Sequence, residues 1–118
     1  MKILYAITTY DGYAYVDLSI TMHKKFGNDV IVIDDGSLSD KLNEICIKHN
    51  VPLFNFCVNS CNDFGNGDVV STTQAIQYAY FHGYDYLVKQ SRRFIFKENP
   101  TPDLENLIKI SDSNTYSA

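Results

Sequence analysis

The sequence predicts an α/β domain built on a mostly parallel, Rossmann-like sheet, with strand order about 3-2-1-4. Three observations carry that expectation. Short apolar runs rich in β-branched residues suit strands buried on both faces. Amphipathic stretches at helical spacing separate them. The runs tend to end in small polar residues, as expected where strands turn into helices. Buried strands alternating with helices imply right-handed crossovers and a parallel sheet. The 118 residues hold one domain, set at 1–111, with a polar tail over 112–118.

The first strand is Ile3 to Ile7, running into the turn Thr8-Thr9-Tyr10-Asp11-Gly12. A helix follows over Tyr13 to Phe26, with Tyr15, Leu18, Met22 and Phe26 as its buried stripe, and Gly27-Asn28 stops it. Val30 to Ile33 is the second strand. Ser39 caps a second helix with a buried stripe of Leu42, Ile45, Cys46 and His49, closed by Asn50. Pro52 to Phe56 is the third strand, and Cys57 to Gly67 a long polar loop. Asp68 caps a third helix that turns Val69, Thr73, Ile76 and Tyr80 to the core, and Gly83 ends it. Tyr84 to Gln90 is the fourth strand, and Phe94-Ile95-Phe96 a short alternating run. Thr101-Pro102 opens the last helix, which carries Leu104, Leu107 and Ile108.

Composition excludes several classes. Apolar residues make up 45% and charged residues 20%, against a disordered or coiled-coil chain. The net charge of −4 argues against a nucleic-acid surface, because phosphate neutralisation needs a basic face. No apolar run reaches the ~20 residues of a membrane span, and the N-terminus has no signal-peptide pattern. Three cysteines, Cys46, Cys57 and Cys61, make no disulfide framework and fit a reducing compartment, hence the cytoplasm. The pair Cys57 and Cys61 fits no well-populated zinc spacing. His23, His49 and His82 read as helix-surface or helix-end residues. No nucleotide-triphosphate loop or dinucleotide fingerprint is present.

Ligands of open parallel sheets bind beyond the carboxyl ends of the strands. Here those ends are Thr8–Gly12, Asp34–Ser37, Cys57–Asp68 and Ser91–Arg93. A carboxylate at Asp34 or Asp35 can accept from a base N–H or a ribose hydroxyl, Gly36 permits a tight turn, and Ser37 helps cap the next helix. The same four residues also make an ordinary βα turn. Tyr10 suits either a stacking surface or the core.

The segment Ile31-Val32-Ile33-Asp34-Asp35-Gly36-Ser37 resembles the "V-DDGS" signature of family-2 glycosyltransferases of the GT-A fold. Thr8-Thr9-Tyr10-Asp11 is similar to that family's "P-T-Y-N", Gly65-Asn66-Gly67 to its "N-x-G" stretch, and Gly83-Tyr84-Asp85-Tyr86-Leu87-Val88 to its "G-D-Y-I-x-x" strand. Asn99-Pro100 to Leu107 matches a "P-x-x-L-x-x-L" helix. The resemblance covers only the nucleotide-binding half of a family member. It implies a nucleotide-diphosphate sugar as ligand, uridine-linked, with Thr9, Tyr10 and Asp11 against the base and Asp34, Asp35, Gly36 and Ser37 around base and ribose.

Two departures qualify it. The family's D-x-D, which holds Mg²⁺ or Mn²⁺, aligns with Ser91-Arg92-Arg93, so the expected metal ligands are absent. Arg92 and Arg93, with Lys89, are expected to hold the diphosphate directly; a solvated surface pair is the plainer alternative. The acceptor half is also missing, and Asp85, Glu98, Asp103 and Glu105 offer no assignable catalytic base. The resemblance therefore implies either a glycosyltransferase domain or a degenerate, non-catalytic module that binds nucleotide or a partner chain. A homodimer through an exposed sheet edge is expected.

Overall fold

The computed structural model describes residues 1–36, 40–55 and 66–113. Within them, β1 (Ile3–Thr9), β2 (Asp29–Asp34), β3 (Leu53–Asn55) and β4 (Tyr86–Ser91) form an all-parallel sheet in the order β3-β2-β1-β4. The helices are α1 (Tyr13–Phe26), α2 (Lys41–His49), α3 (Asn66–Phe81) and α4 (Thr101–Ser113). The Rossmann-like α/β class and the strand order are as the sequence predicts. No described helix is long and apolar enough to cross a membrane.

Two cores sandwich the sheet. Tyr5, Ile7, Val30 and Val32 pack against Val16 and Ile20 of α1 and Leu42 and Cys46 of α2, with Leu104 and Ile108 of α4 at the edge. Leu4, Ala6, Ile31 and Ile33 face the other way, onto Ala75 and Ala79 of α3. Strands with both faces buried require this β-branched composition.

The C-terminal ends of α1 and α2 follow the sequence signals, as do the inward faces of α2 (Leu42, Ile45, Cys46) and α4 (Leu104, Ile108), but the faces of α1 and α3 do not. Gly27 and Asn50 close α1 and α2 in left-handed conformations, with φ of 77° and 55°. In α1 the buried residues are Val16, Ser19, Ile20 and His23, while Tyr15 and Leu18 are half exposed. His23 is therefore a core residue, not a surface one. In α3 the sheet receives Ser71, Ala75 and Ala79, and the expected stripe is turned out: Val69 is 64%, Ile76 54% and Tyr80 79% exposed. Small side chains let α3 lie close to the sheet, so its larger apolar residues are left at the flank. Leu107 of α4 is likewise exposed.

Several boundaries move. Asp40 occupies the N-cap of α2 without a side-chain bond; Ser39 lies outside the described residues, as do Phe56 and 57–65 of the polar loop. Gly67 and Asp68 already belong to α3, which begins at Asn66, so Asp68 is not its cap. Phe94-Ile95-Phe96 is not a strand. Ser91–Phe94 is a turn, closed by Phe94 N–H donating to Ser91 O at 3.0 Å. Phe96 then packs against Tyr5 and His23. Thr101 is the first helical residue of α4, its N–H accepted by Asn99 Oδ1 at 3.2 Å and the first helical bond running from Leu104 N–H to Pro100 O at 3.0 Å.

Polar ties fasten the helices. Asp17 of α1 accepts from Lys48 Nζ at 3.0 Å and pairs with His49 Nε2 at 2.7 Å on α2. The His49 bond, ahead of the Lys48 contacts, holds the Asp17 carboxyl below the usual range. His49 thus faces α1 rather than forming part of the α2 core stripe.

Candidate functional site

The carboxyl ends of β1, β2 and β4 lie level. Thr9 stands opposite Asp34 and Thr8 opposite Ser91 in the ladders, and Asp35 N–H donates to Thr9 O at 2.8 Å. Two strand spacings, about 10 Å, separate Asp34 from Ser91. The Asp34–Asp35 pair and the Arg92–Arg93 pair therefore share one edge of the sheet.

The β1 end turns abruptly. Thr9 Oγ1 donates to Asp11 O. Asp11 and Gly12 both adopt left-handed backbone, with φ of 55° and 68°, which swings the chain straight into α1. Gly12 is the N-cap and, having no side chain, makes no side-chain cap bond. Its carbonyl accepts from Tyr15 and Val16 at 3.0 and 3.2 Å. The first turn of α1 holds no acidic residue, so the positive end of the helix is not neutralised within that turn.

Arg92 lies across that end. A Cβ on Gly12 would come within 2.6 Å of Arg92 Cδ and 3.1 Å of Nε. The positive φ of Gly12 favours glycine there, while the flexible Arg92 side chain can move aside from an added Cβ. Arg92 and Arg93 take the two central places of the Ser91–Phe94 turn, and Arg93 N–H donates to Ser91 Oγ at 3.3 Å. Gln90 is buried and donates from Nε2 to Phe94 O at 2.7 Å, bracing the turn from beneath.

Both aspartates at the β2 end are buried. Asp34 is 0% and Asp35 2% exposed, and both interact within the chain. Burial, reinforced by the Asp34 charge, pushes the Cys46 thiol on α2 up to about 11. Asp34 therefore lies on the α2 side of the rim. Tyr10, Gly36 and Arg92 are half-buried, while Asp11 and Arg93 are exposed. Ser37 lies outside the described residues. Lys89 pairs with Ala6, deeper in the sheet, and alternates to the α3 face. Sequence reasoning singled out neither Gly12 nor Gln90; the Asp11-Gly12 turn was the one visible signal for the former.

Among the described residues no group of three His, Cys, Asp or Glu side chains could hold a metal ion. The D-x-D position offers a hydroxyl and two guanidinium groups, a donor set that does not fit Mg²⁺ or Mn²⁺. A shallow cleft lined by Lys2, Asn28, Asp29 and Thr101 opens at the opposite, amino edge of the sheet. No family model, curated protein or solved structure matches the chain.

Proposed function

We propose that the carboxyl rim binds a nucleotide-diphosphate sugar, uridine-linked, and that the domain belongs to the glycosyltransferase class, resembling the nucleotide-binding half of family 2. One observation carries the reading: Arg92 lies over the start of α1, where Gly12 is the N-cap, level with the Asp34–Asp35 turn. A helix N-terminus and a guanidinium together favour a dianionic phosphate group. In sugar transfer the diphosphate departs from the anomeric carbon. The role assigned to Arg92 and Arg93 is to take up the charge that develops on it, without a metal ion. Tyr10 and Asp11 are the accessible candidates for contact with the base.

Titration with uridine diphosphate tests this. Binding is expected to be equal with Mn²⁺ and with chelator. Arg92→Ala is expected to weaken it by roughly 10- to 100-fold, the worth of a charge-assisted hydrogen bond. No heat at millimolar nucleotide would refute the site.

A second reading has its own support. Both aspartates are buried, and no carboxylate base is assigned. That favours a module that binds nucleotide or a partner chain without turnover. Release of free sugar from a uridine-linked donor decides between the two.

The partner proposal is a second copy of the chain. The outer edge of β4 pairs with no strand among the described residues, and an open edge is a template for pairing. Light scattering across a hundredfold concentration range is expected to show the mass rising toward the dimer. We place the protein in the cytoplasm, since its cysteine usage suits a reducing compartment.

A further inference from the structure

One polar relay joins α1, β4 and the start of α4, and its proton directions are set from two backbone ends. Phe94 C=O can only accept, so the Gln90 atom facing it at 2.7 Å is Nε2, which also donates to Ser19 Oγ at 2.7 Å. Gln90 Oε1 then faces His23 Nε2 at 2.7 Å, and that ring nitrogen carries the proton. At the other end Thr101 N–H can only donate. Asn99 Oδ1 accepts it at 3.2 Å and accepts Asn28 Nδ2 at 3.1 Å. The same Nδ2 reaches His23 Nδ1 at 3.2 Å as a donor, so Nδ1 is a bare lone pair. Asn28 Oδ1 takes the Thr101 hydroxyl at 3.0 Å, leaving Tyr5 OH to donate to Thr101 Oγ1 at 2.7 Å.

All these directions agree with one state of His23, neutral and protonated on Nε2. A second proton, on Nδ1, would point at an N–H donor. Relief requires the Asn28 amide to turn over, which sets Asn28 Oδ1 against Asn99 Oδ1. Asn99 cannot turn in response without abandoning Thr101 N–H. The Gln90 side is different, because an imidazolium still donates from Nε2 to Oε1.

His23 is 1% exposed, so water does not substitute freely for a lost partner. Its ring is faced by uncharged groups: Tyr5 of β1 at 4.4 Å between centroids, Phe96 at 5.7 Å, Gln90 of β4 and Ser19 of α1. Of the charged groups nearby, Glu105 of α4 acts on the Tyr5 phenol, and Lys24 follows His23 on α1 and is exposed. Neither bonds to the imidazole.

We propose that this relay is an acid-opened latch: a second proton on His23 releases Asn28, Asn99 and the start of α4 from the sheet and leaves Gln90 and the arginine turn in place. The latch stands apart from the nucleotide reading. Opening loosens the cover that Leu104 and Ile108 give the core.

Amide exchange and imidazole NMR on the full chain between pH 8 and 4.5 test it. At pH 8 the His23 ring is expected as the Nε2–H tautomer. As the ring titrates, the Thr101 and Leu104 amides should lose at least tenfold protection beyond the intrinsic pH effect, while the Phe94 amide keeps its own. Asn28→Asp supplies an acceptor for Nδ1–H and should raise the His23 midpoint by at least one pH unit. The wild-type exchange profile decides the matter alone if that variant does not fold. An Nδ1–H tautomer at pH 8, Thr101 protection indifferent to His23 titration, or simultaneous loss at Phe94 and Thr101 would each overturn the latch.

Discussion

Ala75→Asp is expected to unfold the chain, whereas Ile76→Asp, one residue along, should leave its stability within about 0.5 kcal/mol. Ala75 is 0% exposed beneath α3, against Ile31 and Ile33 of the sheet, while Ile76 is 54% exposed. A carboxylate forced into that contact finds neither room nor a partner. Burying it unpaired costs several kcal/mol, and overpacking adds 1–3 kcal/mol, roughly. Total stabilities of about 5–15 kcal/mol leave little to absorb this. Urea unfolding followed by circular dichroism checks both variants. A folded Ala75→Asp beside an unfolded Ile76→Asp would mean that α3 is turned the other way.

The second large effect is a loss of stability in weak acid. Burial holds His23 below its ordinary 6.5, with the Gln90 bond opposing. The unfolded chain therefore takes up a proton near 6.5 that the folded chain refuses until lower pH. The stability tied to the neutral ring is complete above 6.5 and declines as pH falls from there toward the folded value. The decline approaches about 1.4 kcal/mol per pH unit for one proton. Asp17 carries the opposite kind of shift. Its contribution is present above its ordinary 3.8 and is lost only as pH falls below that. Urea midpoints at pH 7.5, 6 and 5 are thus expected to fall chiefly through His23. In His23→Gln, if it folds, the slope across this window should flatten.

The strands were legible because a parallel sheet buried on both faces demands unbroken apolar runs, and Val30 to Ile33 could be little else. Helix ends were legible because Gly27 and Asn50 adopt conformations few residues tolerate. The inward faces of α2 and α4 were legible too, but those of α1 and α3 were not, because periodicity marks the largest apolar residues. This sheet instead takes the smallest ones from α3, Ser71, Ala75 and Ala79, and a histidine from α1. The alternation of Phe94-Ile95-Phe96 imitated a strand. The segment instead follows the Ser91–Phe94 turn without regular structure, where the Gln90 amide claims the Phe94 carbonyl, a choice made by a buried polar side chain that no pattern marks. At the rim, the positions of Asp34, Asp35 and Arg92 could be read from topology alone. The burial of the two aspartates could not, since it depends on how α2 closes over β2. The relay around His23 was invisible for a simpler reason. His23 and Gln90 are 67 residues apart in the chain, and no local composition links them.

The thiol of Cys46 reaches further than its place in the core suggests. Held up to about 11, it carries almost no thiolate at pH 8, and it is 2% exposed. An alkylating reagent therefore reaches it only in molecules that have momentarily opened. The rate at which iodoacetamide labels Cys46 becomes a clock for those openings, readable by mass spectrometry without adding a dye or changing a residue.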